Sequence, residues 1–241
     1  CRSRFVEPDR YRTLLSLPSD HPHISQGSGL SLTGASFDEI SLTVGMRKFD
    51  RILAFESETK LIHAEAGITL RQLYVFLAEK GFIISVQPGY PEITLGGCIA
   101  ANVHGKNQFR EGTFADIVHS ISLYHPSHGL LNLSKDENTE LFDLTCGGFG
   151  LTGMILSATL EIQSLDKFKA KTRNHPVDGL AAGATWMLDN TSKYDILYSW
   201  HDLARFDASI GRGFVIAGNM TDEGKFDARI PAYKPLKRNQ I

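Results

Sequence analysis

Two clusters of glycine in the first half of the chain limit its folding options more than any other feature. The first, SQGSGLSLTG (residues 25–34), sets Gly27 and Gly29 two apart with Ser31 two further on. Glycines let a loop turn until successive N–H groups point inward as an anion-binding concavity, and a serine hydroxyl adds one more donor. That geometry suits a pyrophosphate, although the same residues by themselves also make an ordinary turn between strands. No Gly-Lys-Ser/Thr follows, so this is not a Walker loop, and Gly34 is misplaced for the G-x-G-x-x-G of a Rossmann helix start. The second cluster is PGYPEITLGG (residues 88–97). Pro88 and Gly89 fix a turn, Thr94 caps the helix that follows, and Gly96 and Gly97 let a ligand approach its first turn.

Directly after this comes ANVHGKN, in which His104 and Lys106 flank Gly105 and Asn107 follows. A lone histidine is usually satisfied or at the surface, and a lone lysine is usually solvated. Behind a glycine-rich ligand site they become a candidate functional cluster.

The remaining pattern is α+β. HISQ and EISLTV read as strands, and RILAFESETKLIHAEAG as a hairpin around Ser57, Glu58 and Thr59. TLRQLYVFLAEKG is the clearest helix, with Thr69 as cap, an apolar stripe through Leu70, Leu73 and Leu77, and Gly81 at its end. FIISV, DIVHSISLYHP, GLLNLS and LTGMILSATLEI read as strands and TELFDLTCGG as a helix. The texture changes after Ile162 at the charged QSLDKFKAKT, and strand-rich pieces resume with YDILYSWHDL and GRGFVIAGNM. The expected organisation is a first domain over 1–165, with lobes of about 1–86 and 87–165, and a partial second domain over 166–241. A start at Cys1 and an end in PAYKPLKRNQI lead to the expectation of a fragment, or of missing segments.

Composition narrows the partners. Lys and Arg number 25 against 27 Asp and Glu, which leaves no basic footprint for nucleic acid, so a small molecule is the expected partner. Cys1, Cys98 and Cys146 lie far apart without metal-ligand spacing. Neither a disulfide framework nor a metal site is expected, and the thiols are expected to be reduced. No apolar run reaches the roughly 18–20 residues of a membrane helix, and a cytoplasmic location is expected.

The ordered blocks GSGLS, PGYPEITLGGCIAANVHGKN, EGTFADIV and CGGFGLTGMILSATLEI resemble the FAD-binding domain of the vanillyl-alcohol oxidase and p-cresol methylhydroxylase superfamily. Within it the resemblance is nearest to the decaprenylphosphoryl-ribose oxidase group. It covers residues 1–165 and continues more weakly through YSWHDL and GRGFVIAGN. It implies a two-lobed FAD-binding domain followed by the start of a substrate (cap) domain, with FAD as cofactor. By this resemblance Ser25, Gln26, Gly27, Ser28, Gly29, Leu30 and Ser31 match the loop around the pyrophosphate. Gly89, Thr94, Leu95, Gly96 and Gly97 match the second cofactor loop. Ala101, Asn102, Val103 and His104 match the segment along the flavin, and Ile155 matches a backbone contact. Lys106, His104 and Asn107 match positions near the ring system and the substrate sugar, and are the catalytic candidates.

The sequence departs from the group at Leu32, where an aromatic residue is usual, and at Ser28 and Leu30. Because SQGSGLSLTG has no histidine or cysteine, non-covalent FAD is expected, with Cys98 and His104 as the formal alternatives for a covalent link. The implied reaction is hydride transfer from a secondary alcohol, a sugar or lipid-linked sugar, to flavin N5. In that group a further basic residue comes from the C-terminal part of the substrate domain. A lipid-linked substrate would bring peripheral membrane association. The alternatives are an alditol or aldonolactone oxidase, a 2-hydroxy-acid dehydrogenase, or an FAD-binding subunit without catalysis.

Overall fold

The computed structural model describes residues 4–18, 21–36, 39–204 and 210–223; Cys1 and the terminal PAYKPLKRNQI lie outside them. Among the described residues the longer strands form three sheets. The first is small and parallel, in the order β1 (Arg4–Val6), β3 (Leu42–Gly45), β2 (His23–Gln26). All four residues of β3 are buried, as a central parallel strand requires. The short helix α1 (Tyr11–Leu15) adds Leu14 to a core with Val44, Met46 and Phe49.

The second sheet is antiparallel and five-stranded. Its order is β4 (Ile52–Glu56), β5 (Leu61–Glu65), β9 (Met154–Glu161), β7 (Val118–His125), β8 (Gly129–Ser134). Helix α2 (Leu70–Glu79) begins in a reciprocal cap: the Thr69 hydroxyl accepts the Gln72 N–H, and the Gln72 side chain accepts the Thr69 N–H. It buries Leu70, Leu73 and Leu77 in the main core with Ile62 and Ile121. Gly81 takes the left-handed position just past its end, at φ +77°. The chain continues through β6 (Phe82–Ile83) into α3 (Leu95–Ala100) and α4 (Gln108–Glu111). α5 (Thr139–Thr145) follows β8, and β10 (Gln163–Ser164) pairs back on β6.

Strand β9 serves two cores because it carries a bulge. Ser122 pairs with Ser157 and Leu123 with Ile155, so Leu156 is the extra residue. The slip reverses which face each side chain takes. Met154 and Leu156 enter the core under the small sheet, whereas Ala158 and Leu160 enter the core under α2 and α3. The Leu156 carbonyl accepts the Ala66 N–H at 2.9 Å, and Ala66 in turn carries the start of α3.

The pairing of β5 with β9 joins residues 61–65 to residues 157–161. The sheets therefore divide between β3 and β4 and do not follow the expected lobe border near residue 86. β5 belongs to the larger sheet because it pairs with β9 far along the chain, and β4 joins it through the hairpin with β5.

After residue 165 a third sheet, antiparallel in the order β11 (Lys169–Val177), β13 (Gly213–Thr221), β12 (Ile196–His201), packs with α6 (Leu180–Leu188). Val177, Leu197, Val215 and Ala217 form its small core with Trp186 and Tyr194. It meets the first part of the chain where the Leu197 N–H donates to the Lys106 carbonyl at 3.0 Å and Arg110 pairs with Asp195. No helix among the described residues is long and apolar enough to cross a membrane.

A tight corner joins the two larger cores. The Gly67 N–H donates to the Phe49 carbonyl at 2.8 Å, and a β-carbon at Gly67 would overlap the Met46 carbonyl. Beside it the fully buried Glu65 side chain accepts the Arg51 backbone N–H at 2.8 Å and the Arg51 guanidinium at 2.8 and 3.1 Å. Burial pushes the Glu65 carboxyl up, and its bonds from Arg51 and Tyr11 more than offset that push, so it titrates below the usual carboxylate range. Gly67→Ala should destabilise the fold by about 3 kcal/mol, read from urea unfolding, because backbone must move to admit the methyl group. Glu65 contributes fully above the unfolded carboxylate value of about 4.3, and its contribution fades as pH falls through the lower folded value. Glu65→Gln should therefore lower Tm clearly at pH 7 and by less near pH 3.

Candidate cofactor site

The first glycine bend leaves β2 at Gln26, whose carbonyl accepts the Met46 N–H at 2.9 Å. It then runs against residues 92–97. A β-carbon at Gly27 would overlap Thr94 Oγ1, and Gly29 sits at φ +67° with open space around it. The Ser28 hydroxyl donates to the Glu92 carbonyl and accepts from Arg47 Nη1 at 3.0 Å. The Thr94 hydroxyl accepts the Gly97 N–H at 3.3 Å. Between the two bends lies a cleft of about 320 Å³, walled by residues 27–33 on one side and by Ile93, Thr94, Gly97, Ala100, Ala101, Val103 and Phe149 on the other. A narrower recess of about 70 Å³ shares Gly27, Thr94 and Gly97 and extends to Gly96, Gly153 and Ile155. Ser25 lines both, and its Oγ is buried without a hydrogen-bond partner among the described residues.

The backbone donors divide unequally. No acceptor among the described residues takes the amides of residues 27–31. The first turn of α3 differs from the expectation of an open helix start. Its Leu95 and Gly96 N–H groups donate to the carbonyls of Ile68 and Ala66, each at 2.8 Å, and Gly97 is held by Thr94. These bonds fasten α3 to the sheet, so the free donors belong to the first bend.

The other expected residues are distributed as their own bonds dictate. Leu95 is fully buried in the main core. Asn102, at φ +41°, uses its Oδ1 to accept the Ala115 N–H at 2.9 Å and pins the turn Phe114–Ile117. The Gln26 amide donates to Ser36, and Asn107 donates to the Ser85 carbonyl at 2.8 Å, tying the chain after β6 to α4. None of these four side chains lines the cleft, although Ser36, which accepts from Gln26, does. His104, Lys106 and Gly89 line a different hollow, of about 550 Å³, with Phe109, Met187, Leu197 and Tyr198. There the Lys106 ammonium stands 4.5 Å from the centroid of the Tyr198 ring, and His104 Nδ1 lies 3.2 Å from the Gly105 carbonyl oxygen. Cys98 is in the core with its thiol pushed up by burial, and burial also pushes the Cys146 thiol up to about 11. Ile93, Ala100 and Phe149 reach the cleft without having been singled out by sequence. Phe149 is held there at φ +51°, inside the glycine-rich CGGFG.

Comparison with known proteins bears on this cleft. Residues 16–134 match the family described as FAD binding domain. The chain is 29% identical over 224 residues to decaprenylphosphoryl-beta-D-ribose oxidase of Mycolicibacterium smegmatis, covering 89% of this chain and 47% of that one. It is 30% identical over 132 residues to L-gulonolactone oxidase of Bos taurus, covering 53% of this chain and 30% of the relative. The solved structure of an alkyldihydroxyacetonephosphate synthase shares the fold, with TM-score 0.73 over 90% of this chain and 47% of that one at 16% identity. Residues 16–134 carry an FAD-binding domain, and the described residues have the fold of that solved structure. The chain spans about half the length of the first of these relatives and less of the second.

FAD is the cofactor, and the cleft fits it on its own terms. A run of unpaired amides in a glycine bend is a donor set for phosphate oxygens, and the buried Ser25 hydroxyl lacks the partner that a cofactor polar group would supply. The opposite wall of small and apolar residues admits a flat ring system. Gly27→Ala should drive the two bends apart and lower FAD affinity at least about tenfold, read by flavin absorbance of the purified protein and by titration of the stripped protein. Gly29→Ala meets no neighbour and should cost only the left-handed backbone penalty of about 1 kcal/mol in stability. Equal FAD affinity in the Gly27 variant and the parent would contradict the closeness of the bends.

Proposed function

We propose that this chain is the flavin-binding part of an FAD-dependent oxidoreductase that oxidises a secondary alcohol, a sugar or lipid-linked sugar. The observation that carries the reading is the placement of the segment 101–106. Ala101 and Val103 line the cofactor cleft, while His104 and Lys106 line the hollow shared with the third sheet. One short stretch therefore faces the cofactor on one side and a substrate-sized space on the other. When bound, FAD supplies a hydride acceptor at its N5 atom.

The chain's own groups supply position and charge. The cleft walls around residues 25–31, Thr94, Gly97, Ala101, Val103 and Ile155 hold the cofactor. Lys106 stabilises negative charge that develops on the substrate oxygen, and His104 orients that oxygen. Tyr198 holds the ammonium in place through its ring face. Asn107 acts one step back, by fixing the segment that carries Lys106. Neither His104 nor Lys106 is assigned as the base. Among the described residues no cysteine or histidine lines the cleft and Cys98 lies in the core, which supports non-covalent binding.

The match to decaprenylphosphoryl-beta-D-ribose oxidase extends over 224 residues, whereas the match to L-gulonolactone oxidase extends over 132. That difference favours a sugar or lipid-linked sugar over a free aldonolactone. An assay of the full-length protein against sugars, alditols and lactones, with dye and with oxygen as acceptors, tests the choice. Lys106→Ala should keep FAD and lose turnover about 100-fold. Unchanged turnover would remove Lys106 from the mechanism.

A further inference from the structure

We infer that Arg47 is the cation that balances the pyrophosphate of FAD, an assignment that rests on the cofactor reading of the cleft. The argument begins with a deficit. A pyrophosphate carries two negative charges, and bringing such a group out of water is costly unless positive charge or several donors face it. Among the described residues, the lining of the cleft holds no charged side chain of either sign. The amide run of residues 27–31 offers donors but no full charge, and the first turn of α3 is already bonded to the sheet.

Arg47 stands at the point where that deficit falls. It leaves the corner just after β3, and its guanidinium donates to the Ser28 hydroxyl in the middle of the amide run at 3.0 Å. The Ser28 hydroxyl in turn donates a hydrogen bond to the Glu92 carbonyl, so Arg47, Ser28 and residue 92 link the two bends beside the cleft, with Ser28 the member that lines it. The neighbouring cations have other partners. Lys48 faces Glu7 at 3.5 Å, and Arg51 is held in two bonds by Glu65. Arg47 has no carboxylate partner among the described residues, and its remaining donors are available to an anion. A guanidinium also suits phosphate better than an ammonium, because its planar fork can bond two oxygens at once.

The test is binding of FAD, ADP and riboflavin to the flavin-free full chain, followed by flavin and intrinsic fluorescence at several salt concentrations, for the parent, Arg47→Gln and Arg47→Lys. Circular dichroism and Tm establish that each variant is folded. Arg47→Gln should weaken FAD and ADP about tenfold, flatten the salt dependence of their binding, and leave riboflavin unchanged. Arg47→Lys should recover part of the loss. Equal FAD affinity and salt dependence in the parent and Arg47→Gln would overturn the assignment while leaving the cofactor reading intact. Equal losses for FAD and riboflavin would overturn it too, by showing a distorted cleft instead of a missing charge. A parent protein that takes up neither FAD nor ADP would overturn the cofactor reading and this assignment together.

Discussion

Two loops can enclose a flat cofactor only if their backbones come close at one edge and stay apart elsewhere, and in this fold that edge is the meeting of Gly27 with Thr94. Thr94 is almost fully buried and anchored on both sides. Its hydroxyl receives the Gly97 amide, its carbonyl receives the Cys98 amide, and it bridges to Thr69 at the start of α2. The residue that touches it must lack a side chain. Ser28 then bonds to the Glu92 carbonyl and ties the two bends together. Everything else in the cleft follows from this hinge point, including the gap that separates Leu30 and Ser31 from Ala101 and Val103.

The hinge point is held from below by the sheet. The bulge at Leu156 turns β9 so that its carbonyl reaches Ala66, and the Ala66 carbonyl in turn accepts the Gly96 amide. A β-carbon at Gly96 would stand 3.0 Å from that of Ala66, so the helix start lies directly on the strand end. The second glycine cluster therefore serves packing as much as ligand approach. Its glycines bring α3 down onto the sheet, and the first cluster is left to supply the donors. A shared glycine-rich look conceals two different physical uses.

This division explains what the sequence disclosed and what it withheld. The hairpin of β4 and β5, the capped helix α2 and the short α3 could all be read locally, because each carries its own turn or cap residues. The lobe border could not, since it depends on β5 finding β9 far along the chain. Strand β11 escaped notice because eight of its nine residues are exposed or only part-buried, and it shows no apolar alternation. Glycine spacing and the order of the blocks pointed to the bend around Gly27 and the stretch after Thr94, and the structure sets these two stretches on one cleft. Asn102, Asn107 and Leu95 were grouped with them by the family resemblance, and in the structure Asn102 and Asn107 bond to the backbone of neighbouring segments while Leu95 packs in the core. Arg47 carried no signal, because an isolated surface arginine gains meaning only from what it reaches.

The central claim is that the amides of the first bend are the donors that meet the cofactor. Hydrogen exchange of the flavin-free protein, measured by mass spectrometry with and without added FAD, addresses it directly. Residues 27–31 should exchange fast in the free protein and become strongly protected with FAD, while the amides at the start of α3 should be protected in both states. Fast exchange of residues 27–31 with saturating FAD, or protection that arises instead at the start of α3, would contradict the account.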